Sequence, residues 1–338
     1  MKNTVSRVLA ACVLSIGGAV LGGCGKTELT ELKVAQQYGI SYLPMMVMED
    51  QKLIEKHAQA AGVDGLKVSW ARLKGGSEMN DAILSGSLHF ASGGVAPLIT
   101  LWAKTRGNAN VKAVAAMNAM PLYLNTRNPK VKSLKDFTDK DRIALPAVKV
   151  SIQAVTLQMA AEQAFGEGKH NALDRFTVSM SHPDGQVALL SGRGEVTAHF
   201  SAPPFQFQQL RKPGIRTVLN SYKVLGGATS FNLVWTTSKF RDQNPKIYHA
   251  FLNAFTEAVA MVNADKKWAA KTYLRVSKDK DSMGNILVML NNPDVVFTTT
   301  PQNTMKYTGF MHKVGVIKVK PDSWKDLFFP EVHTLPGS

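Results

Sequence analysis

Two short stretches carry the same set of hydrogen-bonding groups. Residues 84–97, LSGSLHFASGGVAP, and 190–204, LSGRGEVTAHFSAPP, each read as a helix end, a glycine cap, a short strand, and serine with glycine or proline before another helix. In the first, Ser92 supplies a hydroxyl that can donate or accept, Gly93 and Gly94 let a ligand approach backbone N–H groups closely, and Val95 leads into the next helix. In the second, Ser201, Ala202, Pro203 and Pro204 take the corresponding places and Phe205 offers an aromatic wall. The first N–H groups of a helix lack internal partners and sit at the positive end of its dipole, so an anionic or carbonyl-bearing group is favoured there. Gly and Ser in such loops also serve simply to make the turn and cap the helix, which accounts for either stretch alone. Their repetition points to two opposed edges with one small ligand between them.

Two further strand-to-helix junctions supply groups of the same kind. After the first strand comes QYGISYLP, with Tyr38 and Tyr42 as aromatics with polar tips and Ser41 as a candidate cap for the helix entered at Pro44. After RIALP comes AVKVS, where Ser151 is a candidate cap and Lys149 is the cation nearest a strand edge, unless it is an ordinary solvated lysine.

The elements that must position these groups follow from hydrophobic periodicity. Strands are expected at 31–36, 66–73, 88–91, 111–117, 142–145, 176–180, 196–200, 215–219 and 230–237. Helices are expected at 44–60, from Glu78 after a Ser77 cap, from Ala96-Pro97, at 151–165, at 183–191, and at 245–263. In the last, Ile247, Ala250, Phe251, Ala254, Phe255, Ala258, Val259 and Val262 recur at helical spacing, with Asn244 as cap and Pro245 at the first position. This order argues for parallel-type sheets with helices on both faces, and ligands bind at the carboxyl edge of such sheets. The length, 338 residues, exceeds what one core usually organises and suggests two lobes.

At the amino end, Lys2 and Arg7 precede an apolar run and Leu21-Gly22-Gly23-Cys24. Residues 1–23 read as a secretory signal peptide, with Cys24 as the lipidated first residue of the mature chain or an incidental residue near an ordinary cut. The other cysteine, Cys12, lies inside the removed segment, so no disulfide, Cys-ligated metal or cysteine nucleophile is available. No later stretch approaches the ~20 apolar residues of a membrane helix. The formal net charge is +15, but the basic residues are spread without long runs, and an exported chain has no use for nucleic acid. There is no Gly-x-Ser-x-Gly elbow, and the histidines lack metal-ligand spacing. His182-Pro183-Asp184 reads as a helix start, and His89 and His199, at matching places in the two repeats, read as satisfied sheet-edge residues.

The signal with its cysteine, LKVAQQYG, EMNDAILSGSLHFASGGVAPLI, VKSLKDFTDKDRIALPAVKVS and HPDGQVALLSGRGEVTAHFSAPPF together resemble the periplasmic substrate-binding proteins of ABC importers. The branch is the NMT1/THI5-like one, which handles nitrate, taurine, aliphatic sulfonates and thiamine pyrimidine precursors. The resemblance covers about residues 30–265. It implies an α/β, two-lobe periplasmic-binding-protein-like fold of type II, each lobe a mixed sheet flanked by helices, with the ligand cleft between lobes. The first lobe would comprise 31–120 and 230–338, the second 121–229, and 24–30 would be a linker. It places the binding positions on Tyr38 and Ser41, Ser92 to Val95, Lys149 to Ser151, and Ser201 to Phe205. It implies capture of a small organic anion and delivery to permease and ATPase subunits by a monomer held to the membrane through Cys24. No cofactor, metal or catalysis is implied. Gly93-Gly94-Val95 and Val148-Lys149-Val150-Ser151 depart from the loops common in sulfonate binders, which makes a larger organic anion, aromatic or a carboxylate, at least as plausible as taurine. The alternatives are a receptor module serving a sensor, import of a neutral pyrimidine precursor, and an enzyme on the same fold; for the last, the cysteine-rich iron segment of fungal pyrimidine synthases is missing.

Overall fold

Leu32 and Val34, both fully buried, alternate with exposed Glu31 and Lys33, and this alternation makes the first strand. The computed structural model describes residues 29–338, so the signal segment and Cys24 lie outside the described residues. The chain runs through β1 (Glu31–Gln36), α1 (Leu43–Gln51), α2 (Leu53–Ala60), β2 (Lys67–Arg72), α3 (Gly76–Leu84), β3 (Ala91–Gly94), α4 (Val95–Thr105), β4 (Val111–Ala116) and β5 (Asn118–Ala119). It crosses into β6 (Tyr123–Thr126), β7 (Arg142–Leu145), α5 (Ile152–Phe165), β8 (Thr177–Ser179), α6 (His182–Leu190), β9 (Val196–Ser201), α7 (Phe205–Leu210), β10 (Arg216–Asn220) and α8 (Ser221–Leu225). It returns through β11 (Asn232–Thr237), α9 (Ser238–Gln243), α10 (Pro245–Ala264), α11 (Lys266–Ser277), α12 (Met283–Leu290), β12 (Val296–Phe297) and α13 (Thr304–Lys313).

The strands form two lobes. In one, β1 pairs in parallel with β2 and bridges Phe90, just before β3, through Val34. There β11 lies antiparallel between β3 and β4, so the order is β2-β1-β3-β11-β4. In the other, the order is β8-β7-β9-β6-β10, with β7 parallel to both neighbours and β6 antiparallel to both of its own. The two orders are the same. With the antiparallel inserts β11 and β6 set aside, each sheet flanks its first strand with its second and third, and the insert lies between third and fourth. The likeness of 84–97 to 190–204 has its reason here, because β3 and β9 hold equivalent places.

That inserted strand corrects the reading of the first stretch. The strand expected to stop at Ser92 runs through Gly94, because β11 supplies a ladder partner for every residue: Trp235 for Ala91, Val234 for Ser92, Leu233 for Gly93 and Asn232 for Gly94. The sheets are accordingly mixed, as the family resemblance implies, and not parallel as the strand–helix order alone suggests. The helix expected at 44–60 is also broken in two, by Lys52 in the left-handed region at φ 52°. Helix α3 starts at Gly76 with Gly75, not Ser77, as its cap.

Helix α10 forms as its apolar spacing predicts, with Pro245 in the first turn and Ile247, Phe251, Phe255 and Val262 buried. Phe251 stacks on Phe90 at 3.8 Å and 4°, which ties the helix to the strand leading into β3; each such fully buried side chain contributes about 1.5–3 kcal/mol. Trp102 of α4 is buried and donates from Nε1 to the Asp326 carbonyl at 2.9 Å. The two crossings between lobes run side by side: Phe231 N donates to the Asn118 carbonyl, Ala119 bridges Ser230, and β12 pairs with β5.

Candidate functional site

The carboxyl ends of β1, β2 and β3 face those of β7, β8 and β9 across a cleft, and three glycines set how closely they meet. A Cβ on Gly94 would lie 2.7 Å from Ile152 Cγ2, and one on Gly75 would lie 3.2 Å from the Pro146 carbonyl oxygen. Gly39, at φ 107°, would bring a Cβ to 2.8 Å from the Pro203 carbonyl oxygen and 3.2 Å from Phe205. Bare backbone of the first lobe therefore lies directly on the second. Beside Phe205 the cleft edge is tied by charge, with Arg211 donating to Asp281 at 2.5 Å and Gln208 to Asp279 at 3.1 Å.

Between the lobes remains a cavity of about 10 Å³, lined among others by Tyr42, Gly94, Pro97, Gln153, His182 and Asn232. That is room for about one water molecule or one small polar atom group. Pro97, Gln153 and His182 belong to the first turns of α4, α5 and α6, so three positive helix ends converge on it. No Lys, Arg, Asp or Glu is among its lining residues. Its polar groups are neutral hydroxyl, amide and imidazole groups. Tyr42 donates to Asn232 Oδ1 at 3.2 Å, and burial raises the Tyr42 phenol so that it stays protonated. Asn232 Nδ2 then has no protein partner although the residue is fully buried. The Gln153 side-chain amide and His182 Nε2 are hydrogen-bonded at 3.3 Å.

The residues singled out from the sequence divide sharply. Tyr42, Gly94 and Ser151 line the cavity, but the Ser151 hydroxyl is engaged as the α5 cap, accepting from Ala154 N at 3.2 Å and donating to the Ala147 carbonyl at 2.9 Å. Ser41 is fully buried within a short 3₁₀ turn beside the cleft, its Oγ without a partner and not capping α1. Ser92 Oγ donates to the Ala35 carbonyl at 2.7 Å, joining β3 to β1. Gly93 faces Gln37 and Trp235, away from Ile152. Val95 N donates to the Phe231 carbonyl, and Pro97 has no N–H, so α4 offers fewer free donors than an ordinary helix start. Phe205 packs on His182 at 5.5 Å. Ser201 lies deeper, 3.5 Å from Gln209 Oε1. Tyr38 is half-buried and Lys149 is exposed at φ 63°; neither lines the cavity. The sequence reading missed Gln153 and Asn232, and it took His182 for a capping residue, whereas Ser181 is the cap, accepting from Asp184 N at 3.3 Å.

Ser92→Ala separates a structural hydroxyl from a ligand-binding one. We expect it to cost about 1–3 kcal/mol in urea unfolding, because the buried bond to Ala35 is lost, and to leave ligand affinity unchanged in calorimetry. Loss of affinity without loss of stability would return Ser92 to the site.

The sequence matches the NMT1-like family over residues 25–276. No curated protein matches it. Among solved structures, the alkanesulfonate-binding protein SsuA of Xanthomonas axonopodis pv. citri, bound to MOPS, aligns with a TM-score of 0.67 at 15% identity, covering 86% of this chain and 95% of that one. The periplasmic nitrate-binding protein NrtA of Synechocystis PCC 6803 aligns at 0.64 and 14% identity, covering 91% and 86%. A Candida albicans gene product described as having the generic periplasmic binding protein fold aligns at 0.66 and 17% identity, covering 87% and 93%.

Proposed function

Since the chain belongs to the NMT1-like family, we propose that it is the extracytoplasmic solute-binding component of an ABC importer. It captures a small organic anion, a sulfonate, nitrate, carboxylate or related oxyanion, between its lobes. Residues 31–120 with 230–338 form one lobe and 121–229 the other; they turn about the paired crossings near Asn118 and Ser230, and their closed form is what a permease with its ATPase would read. In this proposal residues 1–23 are cleaved, Cys24 carries a lipid that holds the monomer at the membrane, and 24–30 is the tether. Among the described residues no helix is long and apolar enough to cross a membrane.

The observation that carries this reading is the partnerless buried amide of Asn232 at an uncharged cavity on which three helix amino termini converge. Asn232 Nδ2 is buried there without a protein partner, and an anionic oxygen at the positive helix ends fits that donor best. Release to a permease requires moderate affinity, around micromolar, or about −8 kcal/mol. The cavity favours a compact acceptor head over the bulky anion that the loop sequences suggest.

A thermal-shift screen of residues 25–338, unfolded and refolded to strip retained ligand, tests this. Nitrate, methanesulfonate, taurine, aliphatic and aromatic carboxylates, and pyrimidines form the panel. At ~100 times its dissociation constant a ligand adds ~2.7 kcal/mol and raises Tm by several degrees. A shift confined to oxyanions supports the reading, and one confined to pyrimidines replaces it with import of a neutral precursor.

A further inference from the structure

The donor that His182 offers is set from behind by a chain of fixed hydrogen bonds. Asn125 Nδ2 donates to the Gln206 backbone carbonyl at 3.0 Å, and Asn125 Oδ1 accepts from Thr217 at 2.7 Å, which fixes the Asn125 amide. Asn125 Nδ2 also donates to Gln209 Oε1 at 3.0 Å, and Ser201 Oγ approaches the same oxygen. Gln209 must then turn Nε2 to His199, donating to Nδ1 at 2.8 Å. A neutral His199 with an accepting Nδ1 carries its proton on Nε2, which lies 3.1 Å from His182 Nδ1. His182 accepts there, so its own proton is on Nε2, toward the cavity and the Gln153 amide 3.3 Å away, which meets it with its oxygen until a ligand oxygen takes that place. All four side chains of this chain are buried, and burial disfavours charge on both rings. Gly185 makes the ring-to-ring contact possible, since a Cβ there would lie 2.8 Å from His199 Nε2.

We propose that His199, held by Asn125 and Gln209, is a positioning residue that fixes His182 as the Nε2–H tautomer, so that the cavity always presents a donor and selects ligands with an oxygen acceptor at that point. The selectivity rests on the cavity being the ligand site; the tautomer does not. A neutral donor gives the site a direction without a charge. It accepts an oxyanion oxygen and turns away an amine or hydroxyl proton.

The test is the ring ¹⁵N spectrum of His182 in the unliganded full chain, assigned by its loss in His182→Gln. The expected spectrum has Nε2 protonated and Nδ1 bare at neutral pH. In His199→Leu the donor behind Nδ1 is gone and the two tautomers should mix, whereas His199→Gln, which offers an amide N–H, should restore the single Nε2–H form. An Nδ1–H spectrum in the native protein, or a pure Nε2–H spectrum in His199→Leu, overturns the proposal. Methanesulfonate is then titrated into the native protein. A shift of the Nε2 resonance that weakens at least severalfold in His199→Leu and returns in His199→Gln supports selection through this pair. A shift of equal midpoint in all three proteins overturns the selection. No shift at all, with the Nε2–H spectrum intact, supports the tautomer assignment and counts against the cavity as an oxyanion site.

Discussion

Gly94→Ala weakens ligand binding by about tenfold to a hundredfold and leaves the Tm of the unliganded protein unchanged; this is the largest effect we expect from adding a single methyl group. The Gly94 backbone, at φ −65° and ψ 158°, suits alanine, so no strain arises within β3. The new methyl would instead lie 2.7 Å from Ile152 Cγ2 and 2.8 Å from Ile152 Cβ, atoms of the opposite lobe. Overpacking of this kind costs about 1–3 kcal/mol. Here the clash is relieved by separating the lobes, so the cost falls on closure and hence on binding, at 1.4 kcal/mol per tenfold. Alanine is a cleaner probe than aspartate, which adds charge to the same clash. Calorimetry reads the affinity, and small-angle scattering should find the variant still open at ligand concentrations that compact the native protein. Native affinity in Gly94→Ala would mean that the lobes do not meet at Gly94 in the liganded state.

The buried histidine pair makes stability fall on acidification. Burial holds His182 down to about 4 from an ordinary 6.5, and burial with its neighbour's charge holds His199 well below the ordinary value. The unfolded chain takes up these protons near pH 6.5, while the folded protein refuses them. Stability from the pair is therefore fully present above pH 6.5 and is lost as pH falls towards 4. For His182 alone, with about 1.36 kcal/mol per pH unit, the loss is roughly 3 kcal/mol. Glu49 and Asp174, whose carboxyls are raised by burial, act in the opposite direction, so the pair must be isolated by difference. Urea midpoints between pH 7.5 and 4.5 should drop more steeply for the native protein than for His182→Gln/His199→Gln. Parallel profiles would mean that water reaches the rings.

Features set by local sequence are legible in it, and features set by distant pairing are not. Leu32 and Val34 announce β1 by alternation, the apolar spacing from Ile247 to Val262 announces α10, and Ser151 sits where a cap belongs. The repetition of 84–97 in 190–204 is legible as two equivalent strands, β3 and β9. Their serines, Ser92 and Ser201, lie inside strands whose partners, β11 and β6, no local pattern reveals, and the structure engages both hydroxyls there. Lys149 was placed near the edge, but a left-handed backbone at a non-glycine residue turns it outward, and nothing in Val148-Lys149-Val150 signals that. Gln153, His182 and Asn232 come from three distant segments, and Asn232 joins the other two only when the lobes meet. The available hint was positional: His182 follows a capping serine at the start of a helix on the carboxyl edge.

The insertion of β11 between β3 and β4 also dictates an order of maturation. A chain made as far as Leu225 holds every strand of the second sheet, from β6 to β10, yet its first sheet still lacks the strand that joins β3 to β4. The lobe begun first is completed last. Pairing Ala91 with Trp235 means closing a very long loop, and non-local pairings of that kind make folding slow. For a polypeptide threaded across a membrane unfolded, as the export proposed above requires, this delay is useful: the amino-terminal half cannot lock into a finished domain before the middle of the chain has followed it out.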